Sequence, residues 1–150
     1  MKRILIYLFV LGAALAVPAE GTDVGKLQPV GLVQLYIEDG MVFIRTDTGD
    51  SGVGHDVTAA FKNLEDTTSG VIYLDTADFL LVNENAVGQV HTLGAYLKPS
   101  IRACIGGEDV DPVEAAEYLT THRPTTRLST FEQGSRVEKL VKQNARLHLE

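Results

Sequence analysis

Residues 54–82 read GHDVTAAFKNLEDTTSGVIYLDTADFLLV, and how this stretch divides decides the fold. Val57, Ala60, Phe61 and Leu64 recur at the i, i+3, i+4, i+7 spacing that places them on one face of a helix. Asp56 stands where a side chain can cap the helix start, the polar run Glu65 to Ser69 weakens its end, and Gly70 offers a left-handed residue for the exit. Phe79-Leu80-Leu81-Val82 shows no alternation, so it reads as a strand covered on both faces, as in the middle of a sheet. Val71 to Thr76 is apolar enough to lengthen that strand or to run beside it. A helix docked on a buried strand is a scaffold and specifies no chemistry.

Upstream, Val30 to Glu38 and Met41 to Asp47 are two β-rich runs joined by Asp39-Gly40, a pair that favours a two-residue hairpin turn because both residues tolerate positive φ. Pairing Glu38 with Met41 sets Ile37 opposite Val42, Leu35 opposite Ile44 and Val33 opposite Thr46 on an apolar face. The other face carries Tyr36–Phe43 and Gln34–Arg45, a half-wet combination, and the aromatic pair is a candidate contact surface unless a helix of the same domain covers it. Glu20 to Gln28 reads as a flexible lead-in, and Thr48 to Gly54 as a Gly/Asp/Ser loop.

Downstream, Asn83-Glu84-Asn85 can cap a second helix whose inner side is Val87, Val90, Leu93 and Leu97, with Gly88 and Gly94 weakening it until Pro99 ends it. Ile101 to Ile105 alternates as a strand, and Gly106-Gly107 turns the chain. Asp111-Pro112-Val113-Glu114 joins an N-cap acid, a proline at N1 and a glutamate at N3, so a third helix begins there, packs through Ala115, Ala116 and Leu119, and stops at Arg123-Pro124. The order strand, strand, helix, strand, helix, strand, helix predicts an α/β (α+β) two-layer sandwich on a four-stranded mixed sheet with a right-handed βαβ crossover. His122 to Thr130 reads as a linker. Val137, Leu140, Val141 and Leu147 then form a narrow apolar stripe on a basic helical tail, interrupted by Asn144 and suited to docking on a partner or an anionic surface.

The first nineteen residues stand apart. Met1-Lys2-Arg3 is a positive n-region, Ile4 to Ala16 an apolar core, and Val17-Pro18-Ala19 a small-residue cleavage site before Glu20, which predicts a secretory signal over residues 1–19 cut after Ala19. A second cut is possible after Ala16, and the alternative is an uncleaved anchor, although the apolar run is shorter than the ~20 residues that span a bilayer. The expected organisation is therefore a signal at 1–19, one domain at 20–122, and a linker with basic tail at 123–150. The chain of 150 residues, 45% hydrophobic, has material for one real core. Its single cysteine, Cys104, excludes an intrachain disulfide and reads as a buried strand residue rather than a nucleophile. Residues 20–122 carry a net charge of −12 and residues 123–150 a net of +3. So acidic a body argues against nucleic acid, whose phosphates need a basic surface.

Several short motifs point at chemistry. Asp47-Thr48-Gly49 matches the aspartic-protease triplet, and Leu74-Asp75-Thr76-Ala77-Asp78 resembles it with alanine for glycine; two such aspartates would share a proton. Thr46 stands where that family has an apolar residue, and the helices do not suit its all-β fold. Gly49-Asp50-Ser51-Gly52 matches the segment around the serine of chymotrypsin-like proteases, but His55, His91, His122 and His148 all follow Ser51, and a flexible turn is the simpler reading. His55 with Asp50 and Asp56, and Glu108, Asp109, Asp111 and Glu114, are acid-rich groups without the spacing of a known metal loop. A loop and an acidic helix start explain them, so no metal or cofactor is assigned.

Thr58, the run Ala59-Ala60-Phe61-Lys62-Asn63-Leu64, Phe79-Leu80-Leu81-Val82 with Glu84, and Leu97-Lys98-Pro99-Ser100-Ile101-Arg102 together resemble the first domain of the C-subunits of spore nutrient-germination receptors, over roughly residues 30–122. The resemblance rests on pattern more than identity. Those subunits resemble lipoproteins with a cysteine after the signal and continue through further domains, whereas here the one cysteine is Cys104 and the likeness extends over a single domain. It implies a non-enzymatic, extracytoplasmic α/β module in a spore-forming bacterium and carries over no functional residue. The expected function is a secreted interaction or accessory module with a protein or cell-envelope partner, linked to spore or envelope processes. The alternative is a small extracytoplasmic hydrolase using Asp47 or Asp75. Contact with a membrane is expected only through an uncleaved signal or weakly through the tail.

Overall fold

Asp39 and Gly40 take φ of 49° and 77°, the two left-handed residues that a tight hairpin turn requires, and the strand register follows from them. In this computed structural model, which describes residues 27–131 except Glu108, β2 (Leu32–Glu38) and β3 (Met41–Thr46) pair antiparallel. The pairs are Glu38 with Met41, Ile37 with Val42, Tyr36 with Phe43, Leu35 with Ile44, Gln34 with Arg45 and Val33 with Thr46, as the turn dictates.

The other elements are β1 (Leu27–Pro29), β4 (Ser51–Gly54), α1 (Val57–Thr67), β5 (Val71–Tyr73), a 3₁₀ turn (Leu74–Thr76), β6 (Phe79–Val82), a 3₁₀ helix (Glu84–Ala95), β7 (Arg102–Ile105), α2 (Pro112–Thr121) and α3 (Leu128–Phe131). The main sheet has the order β4-β3-β2-β6-β7, antiparallel on the hairpin side and parallel from β2 through β7. The fold is thus mixed α/β on a mixed sheet. The sheet has five strands where four were expected, because Ser51 to Gly54, read as loop, pairs with β3 as an edge. Two stretches read otherwise, the lead-in and Val71 to Thr76, also meet: β1 and β5 form a separate parallel pair.

The expected two layers become three. Val33, Leu35, Ile44, Leu80, Val82, Ala103 and Ile105 pack against Val57, Ala60, Phe61 and Leu64 of α1 and against Val87, Val90 and Leu93. Leu32, Phe79, Leu81 and Cys104 pack instead against Ala115 and Leu119 of α2. Side chains alternate along a strand, so α1 and α2 lie on opposite faces. Runs such as Phe79 to Val82, buried at every position, require cover on both sides.

Helix ends follow local chemistry. Asp56 accepts the Ala59 N–H at 2.8 Å, and Asp111 accepts those of Val113 and Glu114 at 2.8 and 3.1 Å, with Pro112 opening α2. The exit of α1 differs from the expected Gly70 cap. The chain leaves at Thr68 with φ −75°, and the Thr68 N–H and hydroxyl both bond the Leu64 carbonyl, at 3.1 and 2.7 Å. The second helix is 3₁₀ throughout. Val87, Val90, Leu93 and Tyr96 recur every three residues, the period that aligns side chains on a 3₁₀ helix, and all four face the core.

The stretch 122–130 is not a free linker. Arg127 bridges Arg102, Thr126 C=O accepts the Ala103 N–H and Leu128 N–H donates to Ile101 C=O, both at 2.9 Å. Leu128 is 1% exposed in the main core. A single leucine in polar surroundings has no periodicity, which is why the sequence hid it. Truncation after His122 is therefore expected to destabilise the domain by at least the ~2–5 kcal/mol that emptying a buried leucine site costs, read as a lower thermal midpoint. The signal, residues 20–26 and the tail from 132 onward lie outside the described residues. Among those described, no helix is long and apolar enough to cross a membrane.

Candidate functional site

The Asp47-Thr48-Gly49 triplet forms the turn between β3 and β4. Thr46 N–H bonds Asp50 C=O at 3.0 Å, and Gly49 takes φ 91°, the left-handed residue of a three-residue hairpin loop. Thr46, Thr48 and Asp50 side chains link at 2.7 and 2.8 Å. Both oxygens of Asp47 accept the Gly31 N–H, at 3.0 and 3.1 Å, and a Cβ on Gly31 would come within 2.7 Å of Oδ2. The carboxylate fastens the corner between β1 and β2 to this turn. Asp75 lies exposed on the Leu74–Thr76 turn. Its neighbour Thr76 makes the tie instead, its hydroxyl meeting the Val30 N–H and C=O at 2.9 Å each. Asp47→Ala is expected to cost about 1.5–3 kcal/mol, the worth of a hydrogen bond to a charged group, measured as a lower urea midpoint at unchanged slope.

The Gly-Asp-Ser-Gly segment is equally structural. Gly52 and Gly54 press β4 onto α1: a Cβ at Gly52 would fall on the Ala60 carbonyl oxygen and within 2.6 Å of the Leu64 nitrogen, and one at Gly54 would strike the Ala60 nitrogen. The outward edge of β4 is answered by helix side chains. Asn63 Oδ1 accepts the Val53 N–H at 2.9 Å, and the Thr67 hydroxyl donates to Ser51 C=O at 3.2 Å. Ser51 is exposed, and its carbonyl rather than its hydroxyl is what the Thr67 side chain engages.

Beside this edge is an open concavity of about 410 Å³, lined by Phe43, Asp50, Ser51, Val53, Asn63 and Thr67. Phe43 stacks on Tyr36 with centroids 5.0 Å apart and planes 7° apart, and both rings are half-buried. Val53, opposite Phe43 in the ladder, is 38% exposed. Helix α2 packs over Leu32, Leu81 and Cys104 of the same sheet face, leaving the β3–β4 end partly open.

Other candidates take structural places. His55 is exposed beside the cap Asp56, His91 Nδ1 meets Gly88 C=O at 2.7 Å, and His122 stacks on Tyr118 at 4.2 Å. Glu108 and His148 lie outside the described residues; among those described, no three His, Cys, Asp or Glu residues gather as metal ligands. Cys104 is buried on the α2 side, and burial pushes its thiol from 9.0 up to about 12. The thiol stays protonated in the fold but ionises in the unfolded chain from about pH 9. Its contribution is therefore complete below that pH and falls as pH rises towards 12. A stability profile over that range is expected to slope downward for wild type and less steeply for Cys104→Ala.

Two features escaped the sequence reading. Tyr96 stacks on Phe61 at 4.3 Å, joining the 3₁₀ helix to α1. Gln34, assigned to a half-wet face, is only 1% exposed, and its Nε2 donates to Gly107 and Val110 carbonyls at 3.3 and 3.1 Å, holding the turn before α2. Comparison of the chain with protein-family models, curated proteins and solved structures found no match.

Proposed function

We propose that the protein is a non-enzymatic, extracytoplasmic interaction module that holds a basic segment of a protein partner against the β3–β4 end of its sheet. The observation that carries this reading is the open concavity where Phe43 and the 38% exposed Val53 lie beside Asp50. Aromatic and aliphatic groups supply contact area there, and the net −12 of residues 20–122 favours a cationic partner. The extracytoplasmic placement rests on the n-, h- and c-regions of residues 1–19, and the link to spore or envelope processes on the germination-receptor resemblance. The engagement of Asp47 with Gly31 supports a binding role over the aspartic-hydrolase alternative.

The test is photo-crosslinking from position 53 of the full chain in its native organism. One discrete adduct, weakened by salt and lost in Phe43→Ser, is expected. No adduct, or the same adducts from position 117 on α2, would reject the surface. Peptide hydrolysis by wild type that vanishes in a folded Asp47→Asn protein would establish the alternative.

A further inference from the structure

Arg102 and Arg127 stand directly opposite each other across the isolated antiparallel bridge that brings the segment after α2 against β7. Like charges so placed repel and weaken the pairing. The described residues contain six lysines and arginines, and four of them, Lys98, Arg102, Arg123 and Arg127, meet at this corner of an otherwise acidic body. Three arginines, with Ser100, Phe79 and Asp78, border a concavity of about 270 Å³. Asp78 is its one carboxylate, and Lys98 Nζ already holds Asp78 Oδ1 at 2.9 Å. Among the described residues no carboxylate pairs with the three guanidinium groups. Arg102 Nη1 donates to the Pro124 carbonyl at 2.7 Å, which orients its fork.

We propose that this corner is a binding site for a single phosphoryl group, carried on a small soluble ester or a lipid headgroup. Planar guanidinium forks match phosphate oxygens two at a time, and the Ser100 hydroxyl is a further donor. A bound dianion would also cancel the repulsion between Arg102 and Arg127, so the ligand stabilises the fold as well as occupying it. The concavity has room for the ester substituent beside the phosphate. A long polyanion is disfavoured, because the net −12 of residues 20–122 repels it and, among the described residues, only Arg45 and Lys62 remain outside this corner to extend a basic track.

The experiment uses the full chain at constant low ionic strength and titrates inorganic phosphate, glycerol 3-phosphate and, as control, acetate. Melting temperature and amide shifts are followed; vesicles of phosphatidylcholine with and without phosphatidic acid form a separate arm. Either phosphate compound is expected to raise the melting temperature and move amides of residues 100–103 and 124–128, while acetate does neither. A soluble ester that suffices identifies a small-molecule site, and binding confined to phosphatidic acid vesicles identifies a headgroup site. Arg127→Gln is expected to melt no lower than wild type without phosphate, since a repulsion is removed, yet to bind it about ten-fold more weakly, the worth of one charge-assisted hydrogen bond. Arg123→Gln should weaken binding similarly without touching the bridge. An acetate response equal to that of phosphate, no response to any phosphate source, or undiminished affinity in both variants would overturn the proposal.

Discussion

Phe61→Asp is expected to leave the chain unfolded at room temperature. Phe61 is 0% exposed, lies on the inner face of α1 and stacks on Tyr96 with planes 14° apart. Its loss alone costs about 3–5 kcal/mol, as for other buried aromatics cut to small residues. The carboxylate adds several kcal/mol more, because it would be buried among the apolar Val57, Leu64 and Leu93 side chains, which offer it no hydrogen-bond partner. Together these reach the ~5–15 kcal/mol that holds a typical domain. Circular dichroism should show loss of the cooperative melt, and Phe61→Leu, which keeps an apolar side chain, should retain it. A Phe61→Asp protein melting within a few degrees of wild type would mean that α1 presents a different face to the sheet.

Gly52→Val is expected to be nearly as damaging, for a steric reason. The first carbon added at Gly52 meets the backbone of α1 at Ala60 and Leu64 and lies 2.7 Å from the Leu64 Cβ, so no rotamer change relieves it. The helix must move off the edge strand, which also breaks the bonds from Asn63 to Val53 and from Thr67 to Ser51. Overpacking typically costs about 1–3 kcal/mol and rises when backbone must shift. With the two edge bonds lost as well, a cost of about 3–5 kcal/mol is expected, seen as a large drop in thermal midpoint. Ser51→Ala is the control. The Ser51 side chain is exposed and only its carbonyl takes part, so that variant should melt like wild type, whereas a nucleophile would be lost with it.

The two glycines show why a motif can be present without its chemistry. Gly-Asp-Ser-Gly and Asp-Thr-Gly consist of the residues that tight turns and close backbone approaches select: Gly49 for its left-handed φ, Gly52 for want of a Cβ, and Asp47 as an acceptor for a backbone N–H. A protease loop draws on the same small set for other reasons. The candidate site was accordingly legible only in part. The Tyr36–Phe43 pair follows from the hairpin register, whereas the concavity at Val53 depends on a strand whose Gly/Ser composition reads as loop.

What the sequence by itself determined is whatever local geometry enforces. Asp39-Gly40 leaves one turn and hence one register; the spacing of Val57, Ala60, Phe61 and Leu64 leaves one buried helical face; Asp111-Pro112 leaves one helix start. Only the tertiary structure decided which distant segments meet. Ser51 to Gly54 is a strand because β3 offers an open ladder and α1 closes the far edge. Arg102 faces Arg127 because Leu128, a lone apolar residue, is drawn into the core and carries its neighbours alongside β7. Such contacts arise from burial, which is roughly proportional to area and indifferent to sequence order, so they leave no period and no spacing for a sequence to display.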